Sequence, residues 1–150
     1  MDVPSPARLM VELQKAATRA HRLLLQSPLG GFLSTSPMGR FLVLRTTGRR
    51  SGKPRQTPLS YTSDGDAYVV IASDGGSPHD PDWYLNLQDQ PDAEVDVGGR
   101  RRPVRAETVV GAERDRLWRQ AVRSYGGYAG YQARTDRTIP VVRLTPTRST

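Results

Sequence analysis

The sequence predicts a small α+β domain built around an antiparallel sheet or barrel. Short apolar or alternating runs at Phe41–Leu44, Arg55–Ser63 and Tyr68–Ala72 read as strands. Turn pairs at Asp64-Gly65 and Gly98-Gly99 join neighbouring strand patterns, and strands joined by two-residue turns are antiparallel. Strand and helix patterns do not alternate along the chain, which excludes a doubly wound nucleotide-binding fold. At 150 residues, one domain with a real core is expected.

Taken in order, Pro4 and Pro6 mark a loose start. Leu9, Leu13, Ala16, Ala17, Ala20, Leu23 and Leu24 recur at helical spacing between Ala7 and Gln26. Arg8, Glu12, Lys15, Arg19 and Arg22 occupy the opposite face, giving a net basic amphipathic helix. Pro28, Gly30, Gly31 and Pro37 form a loop before the first strand. The second strand carries Thr57, Leu59 and Tyr61 on one face. Asp80-Pro81 reads as an N-cap followed by proline at the first helical position, and this short helix ends near Pro91. Val95 and Val97 alternate with polar residues, and a strand holding Val104 and Ala106 follows the glycine pair. Leu117, Trp118, Ala121, Val122 and Tyr125 make a second amphipathic helix opened by Glu113 and Asp115. Ile139–Leu144 is the last strand.

Several chemistries are excluded. The chain has no cysteine, so a disulfide framework, a thiol nucleophile and a Cys-ligated metal site are ruled out. His21 and His79 lack ligand spacing, and no metal site is expected. There is no G-x-S-x-G elbow and no G-x-G-x-x-G. Gly48–Pro54 is one residue too short for a phosphate loop and puts Pro54 where a Ser or Thr would bind magnesium. Any catalysis is therefore expected to come from a bound cofactor. No apolar run is long enough to span a membrane and no signal-peptide pattern opens the chain, so a cytoplasmic protein is expected.

The net charge is +7, and 20 of the 22 basic residues are arginine. Arg49, Arg50, Lys53 and Arg55 place four cations within seven residues, and Gly48 and Gly52 allow backbone N–H groups to converge beside them. Arginine forks match phosphate and carboxylate oxygens. The loop reads either as a clamp for a polyanionic ligand or as a solvated turn. Arg100-Arg101-Arg102, at a hairpin turn, reads as solvated.

Thr46-Thr47-Gly48-Arg49-Arg50-Ser51-Gly52-Lys53-Pro54-Arg55 resembles the T-T-G-R-[KR]-S-G-x-P-R signature of the deazaflavin-dependent nitroreductase family. The resemblance continues through Thr57-Pro58-Leu59, Asp64-Gly65-Asp66 and Ala72-Ser73-Asp74-Gly75-Gly76. It then runs through Pro81–Leu87 to Tyr125, Tyr128, Tyr131 and Arg137-Thr138-Ile139-Pro140. It implies a split β-barrel, of the FMN-binding-like kind, with an N-terminal helix, a short helix and a C-terminal helix packed around it. The implied organisation is helix and loop over 1–39, barrel domain over 40–146 and tail over 147–150.

The resemblance further implies an oxidoreductase that uses coenzyme F420, an 8-hydroxy-5-deazaflavin, to reduce a quinone, an enone or a nitro compound. Arg49, Arg50 and Arg55 would hold the phosphate and oligoglutamate tail. Pro58 and Leu59 would pack near the ring or ribityl chain, or serve as ordinary strand packing. Ser73, Asp74, Gly75 and Gly76 would seat the ring, with Ser73 able to donate to a ring carbonyl or a substrate oxygen. Asp74 departs from the Lys or Asn common in the family. Asn86, on one helix face with Trp83, is a candidate polar contact, while Trp83 reads as core. Tyr125, Tyr128 and Tyr131, interleaved with Gly126, Gly127 and Gly130, read as a mobile aromatic flap over the substrate. A tyrosine hydroxyl there would orient the substrate or donate a proton. Arg134, Asp136 and Arg137 read as an ion-pair network.

Three rival readings stand beside this one. The same barrel can take FMN. A basic nucleic-acid-binding module would use the charge, although the Arg49–Arg55 loop has no aromatic residue to stack on bases. The basic N-terminal helix could attach weakly to a membrane surface, although its apolar face is rich in alanine. The expected partners are a small-molecule hydride acceptor and no nucleic acid, in a monomer or homodimer.

Overall fold

The computed structural model of the chain describes residues 35–36 and 39–147. The helix expected over residues 7–26, with the membrane attachment tied to it, lies outside these residues, as does most of the tail. The described elements are β1 (Thr35–Ser36), β2 (Gly39–Thr47), β3 (Pro54–Asp64), β4 (Ala67–Ile71), α1 (Asp82–Asp89), β5 (Asp92–Val97), β6 (Arg100–Val109), α2 (Gly111–Ser124), α3 (Gly127–Ala133) and β7 (Val141–Pro146). A 3₁₀ turn at Asp74–Gly76 follows β4.

Every strand pair is antiparallel, in the order β1-β2-β3-β4-β7-β6-β5. A further β2–β5 pairing, with Leu44 opposite Val95, closes β2 to β7 into a six-stranded barrel. Closure removes the exposed edges that an open sheet would leave for aggregation.

Side-chain parity separates two cores. On β4, Tyr68 and Val70 enter one cluster with Leu42, Leu44, Val95, Val104, Val142 and Leu144, the barrel interior. Val69 and Ile71 point the other way and pack with Val141, Leu117, Ala121 and Tyr128 beneath α2 and α3. Both faces of β4 are therefore covered, which is why its five residues are all buried. Trp83, Tyr84 and Leu87 of α1 join the interior cluster, so α1 is fixed against the barrel by its apolar face.

Three local expectations are corrected. Asp80 does not cap α1: Pro81 occupies the N-cap position without a side-chain cap bond, and the Asp80 carboxylate instead pairs with Arg137 at 2.9 Å. A charge-assisted bond to a partly buried arginine outweighs a cap on an exposed helix start. Tyr125 does not continue the second amphipathic helix. Tyr125 is the extended residue that ends α2, and α3 begins two residues later. Arg102 is not simply solvated, since it donates to the Tyr68 hydroxyl at 2.9 Å and lies over that ring.

Candidate active site

The basic loop joins β2 to β3. Gly48 N–H donates to the Lys53 carbonyl and Gly52 N–H to the Gly48 carbonyl, both at 2.8 Å, while Ser51 Oγ accepts from Lys53 N–H at 3.2 Å. A Cβ on Gly48 would fall 2.7 Å from Ser51 Oγ, so the loop folds over that glycine. This closed loop faces α1 across an open cleft of about 610 Å³. Arg49, Arg50, Arg55 and Asn86 all line it, together with Thr46 and Trp83.

The cations of the cleft are held unequally. Arg49 donates through its backbone N–H and through Nη1 to Asn86 Oδ1, at 3.2 and 3.0 Å, and pairs with Asp82 at 3.2 Å. Asn86, only 4% exposed, donates in turn to Thr46 Oγ1 at 3.3 Å. Arg50 and Arg55 have no acidic partner among the described residues and lie on the exposed rim. One fixed and two uncommitted guanidinium groups thus line one cleft, and their forks match the geometry of carboxylate and phosphate oxygens.

A second group of expected residues lies beyond β4. Ser73 is buried, and the turn after it carries three consecutive left-handed residues, Asp74, Gly75 and Gly76, with φ of 44°, 65° and 82°. A Cβ on Gly76 would sit 2.8 Å from the Tyr131 carbonyl oxygen. Gly76 therefore allows the turn to pack on the backbone of α3. Asp80, at the end of this segment, binds Arg137, and two residues later Asp82 of α1 binds Arg49 of the basic cleft.

The three tyrosines meet ring to ring. Tyr125 and Tyr128 are edge-on at 5.0 Å, and the Tyr125 and Tyr131 hydroxyls are 2.9 Å apart. Tyr128 is buried in the outer core and shares a 2.6 Å hydrogen bond with Ser60. Its role in the structure is to pin α3 to β3. Tyr125 is 44% exposed. Burial, reinforced by the Tyr125 hydroxyl, pushes Tyr131 up to about 12, and burial raises Tyr128 against the lowering effect of Ser60. At neutral pH both hydroxyls keep their protons and remain available as donors. Arg134 lies over the Tyr131 ring at 5.8 Å.

Pro58 and Leu59 occupy the middle of β3, opposite Val43 and Leu42, outside the cleft lining. Leu59 packs on the barrel interior. The sequence reading missed Thr46, Asp82, Ser60 and the full role of Arg137, which pairs with Asp80 but also binds three carbonyls of the Ser73 turn. Asp82 was within reach of reasoning, because it lies four residues before Asn86 on the same helical face. The others pair across long sequence separations and leave no local signal.

Among the described residues no His, Cys, Asp and Glu cluster can hold a metal ion, and no helix is long and apolar enough to cross a membrane. The family model for F420H(2)-dependent quinone reductase matches residues 17–146. This chain belongs to that family. An F420H(2)-dependent quinone reductase of Mycobacterium tuberculosis is 47% identical over 107 residues, covering 69% of this chain and 72% of the relative. A solved F420-H2 dependent reductase superposes with TM-score 0.65 at 39% identity, covering 69% of this chain and 92% of the other. A solved domain-swapped dimer, 34% identical, superposes with TM-score 0.68 over 89% of this chain and 98% of the other. The barrel is thus the split barrel of F420-dependent reductases, and the family's cofactor is coenzyme F420.

The cleft fits such a group on its own chemistry. Arg50 and Arg55 have no acidic partner among the described residues, and Arg49 is oriented by Asn86. A tail with one phosphate and several carboxylates supplies the oxygens that such a set requires.

Proposed function

We propose that the cleft between the Gly48–Lys53 loop and α1 binds the anionic tail of F420, and that the chain reduces a quinone-class acceptor held beside the Ser73 turn and α3. The observation that carries this reading is the pairing of a tethered Arg49 with uncommitted Arg50 and Arg55 in one cleft.

Reduced F420, when bound, supplies a hydride, and the chain supplies position. Arg49 acts as the fixed point of the clamp. Arg50 and Arg55 close on further anionic oxygens. Ser73 offers a buried hydroxyl at the ring end, and Tyr131 keeps its proton and can hydrogen-bond an acceptor oxygen. Of the packed tyrosines Tyr128 is buried, whereas Tyr125 stays open to solvent at the rim.

Two further elements belong to this reading. A dimer is proposed from the domain-swapped relative, and light scattering of the purified chain tests it. A cytoplasmic location is proposed because a multiply charged cofactor does not cross a bilayer unaided, so enzyme and cofactor share a compartment.

Titration of coenzyme F420 and of FMN, each followed by quenching of ligand fluorescence, tests the cofactor assignment. Micromolar or tighter binding of F420, with FMN weaker, is expected. Preference for FMN, or no F420 binding at low salt, overturns it.

A further inference from the structure

The Ser73 turn is held from two sides. Three left-handed residues in succession, one of them aspartate, persist only where the surroundings over-determine the backbone. On one side the turn rests on α3, where a Gly76 Cβ would meet the Tyr131 carbonyl. On the other side lies Arg137, whose side chain is 15% exposed.

Arg137 binds both ends of the turn. Nη1 donates to the Ala72 carbonyl at 3.2 Å and Nη2 to the Ser73 carbonyl at 2.8 Å. Nε donates to the Ser77 carbonyl at 2.8 Å, and Nη1 also reaches the Asp80 carboxylate at 2.9 Å. The Ser73 carbonyl additionally accepts the Gly76 N–H at 2.9 Å. Arg137 is itself oriented: Gln132 donates to its carbonyl at 2.7 Å and accepts from Ile139 N–H at 2.9 Å. Only a planar fork reaches these four oxygens together; a lysine ammonium, a compact charge with three donors, cannot.

We propose that Arg137 is the positioning residue of the active site. It fixes the backbone of Ser73 and the path of Asp74–Gly76 without touching cofactor or acceptor. Asp80 compensates its charge, so the fork can stay partly buried among backbone carbonyls. This rests on the reading of the Ser73 turn as the ring seat.

The test compares Arg137→Lys and Arg137→Gln in the full chain. Amide hydrogen exchange at Gly76 and Ser77 is measured against Val70 and Val142, with kcat and KM for a quinone at saturating reduced F420 and the Kd for F420. Exchange at Gly76 and Ser77 should rise by about tenfold or more, with the β4 and β7 amides unchanged. The kcat should fall by about tenfold or more, and the Kd should stay within about threefold because Arg49, Arg50 and Arg55 are intact. Arg137→Lys keeps the charge opposite Asp80 and decides the matter if the glutamine variant does not fold. Wild-type exchange at Gly76 and Ser77, or a loosened turn with kcat unchanged, overturns the proposal. Ser73→Ala separates the causes. If it also leaves kcat and KM unchanged, the ring-seat reading has failed; if it lowers kcat while the Arg137 variants do not, the positioning role alone has failed.

Discussion

Asn86 Oδ1 accepts two hydrogen bonds from one residue, Arg49, through its backbone N–H at 3.2 Å and its Nη1 at 3.0 Å. A residue of the short helix thereby sets both the path of the basic loop and the direction of its first guanidinium. The amide nitrogen is also used, on Thr46 of β2, so Asn86 joins loop, helix and barrel.

Asn86→Ala should therefore act on stability and on affinity together. It leaves the Arg49 N–H and the buried Thr46 hydroxyl without their partner, at a cost of about 1–3 kcal/mol. It also frees Arg49 to sample other rotamers, so F420 binding should weaken. Thermal unfolding and a cofactor titration check both. Wild-type affinity in a correctly folded variant would contradict the tether.

Gly76→Ala should destabilise although the added methyl is small. Its Cβ would meet the Tyr131 carbonyl at 2.8 Å, and the backbone φ there is 82°. Strain and overpacking together should cost about 1–4 kcal/mol. Gly52→Ala provides the comparison. It shares a positive φ of 69° but has nothing within 4 Å of the new methyl, so only the conformational part remains. Equal losses in the two variants would show that contact with α3 does not matter.

Tyr131 predicts a stability change in alkali. Its folded-state value is pushed up to about 12, above the ordinary tyrosine value of 10.0. The unfolded chain releases this proton first as pH rises. The stabilisation is whole below about pH 10 and is lost progressively between about 10 and 12. Unfolding temperature followed across that range, with phenolate absorbance, should fall less steeply in Tyr131→Phe. Parallel curves for the two proteins would contradict the assignment.

The barrel was legible because its strands carry period-two patterns and its hairpins carry glycine turns, as at Gly65 and Gly98. The basic loop was legible because four cations in seven residues mark a local concentration of charge. The tyrosine segment reads as a flap from its glycines alone, and the packing of Tyr128 is not legible in them. Its glycines weaken a helix in isolation, but burial of Tyr128 beside Leu117 and its bond to Ser60 hold α3 in place. Arg137 reads as part of an ion-pair network with Arg134 and Asp136, but its acidic partner in the structure is Asp80. Its grip on Ala72, Ser73 and Ser77 depends on partners 60 or more residues away, and no sequence pattern encodes that distance. Gly76 looked like a glycine placed for close approach, and it is one, but what approaches it in the structure is the backbone of α3.

On the reading proposed above, Arg49, Arg50 and Arg55 clamp the cofactor's anionic tail. The most direct measurement is a titration of intact F420 beside a deazaflavin bearing only its ribityl chain, on wild type and Arg55→Ala, at low and high salt. Intact F420 should bind far more tightly than the truncated form, with an affinity that falls as salt rises. Arg55→Ala should weaken F420 by about 1.5–3 kcal/mol, roughly ten- to 150-fold in Kd, and leave the truncated ligand unaffected. Equal binding of the two ligands, or an equal loss for both in the variant, would contradict the clamp.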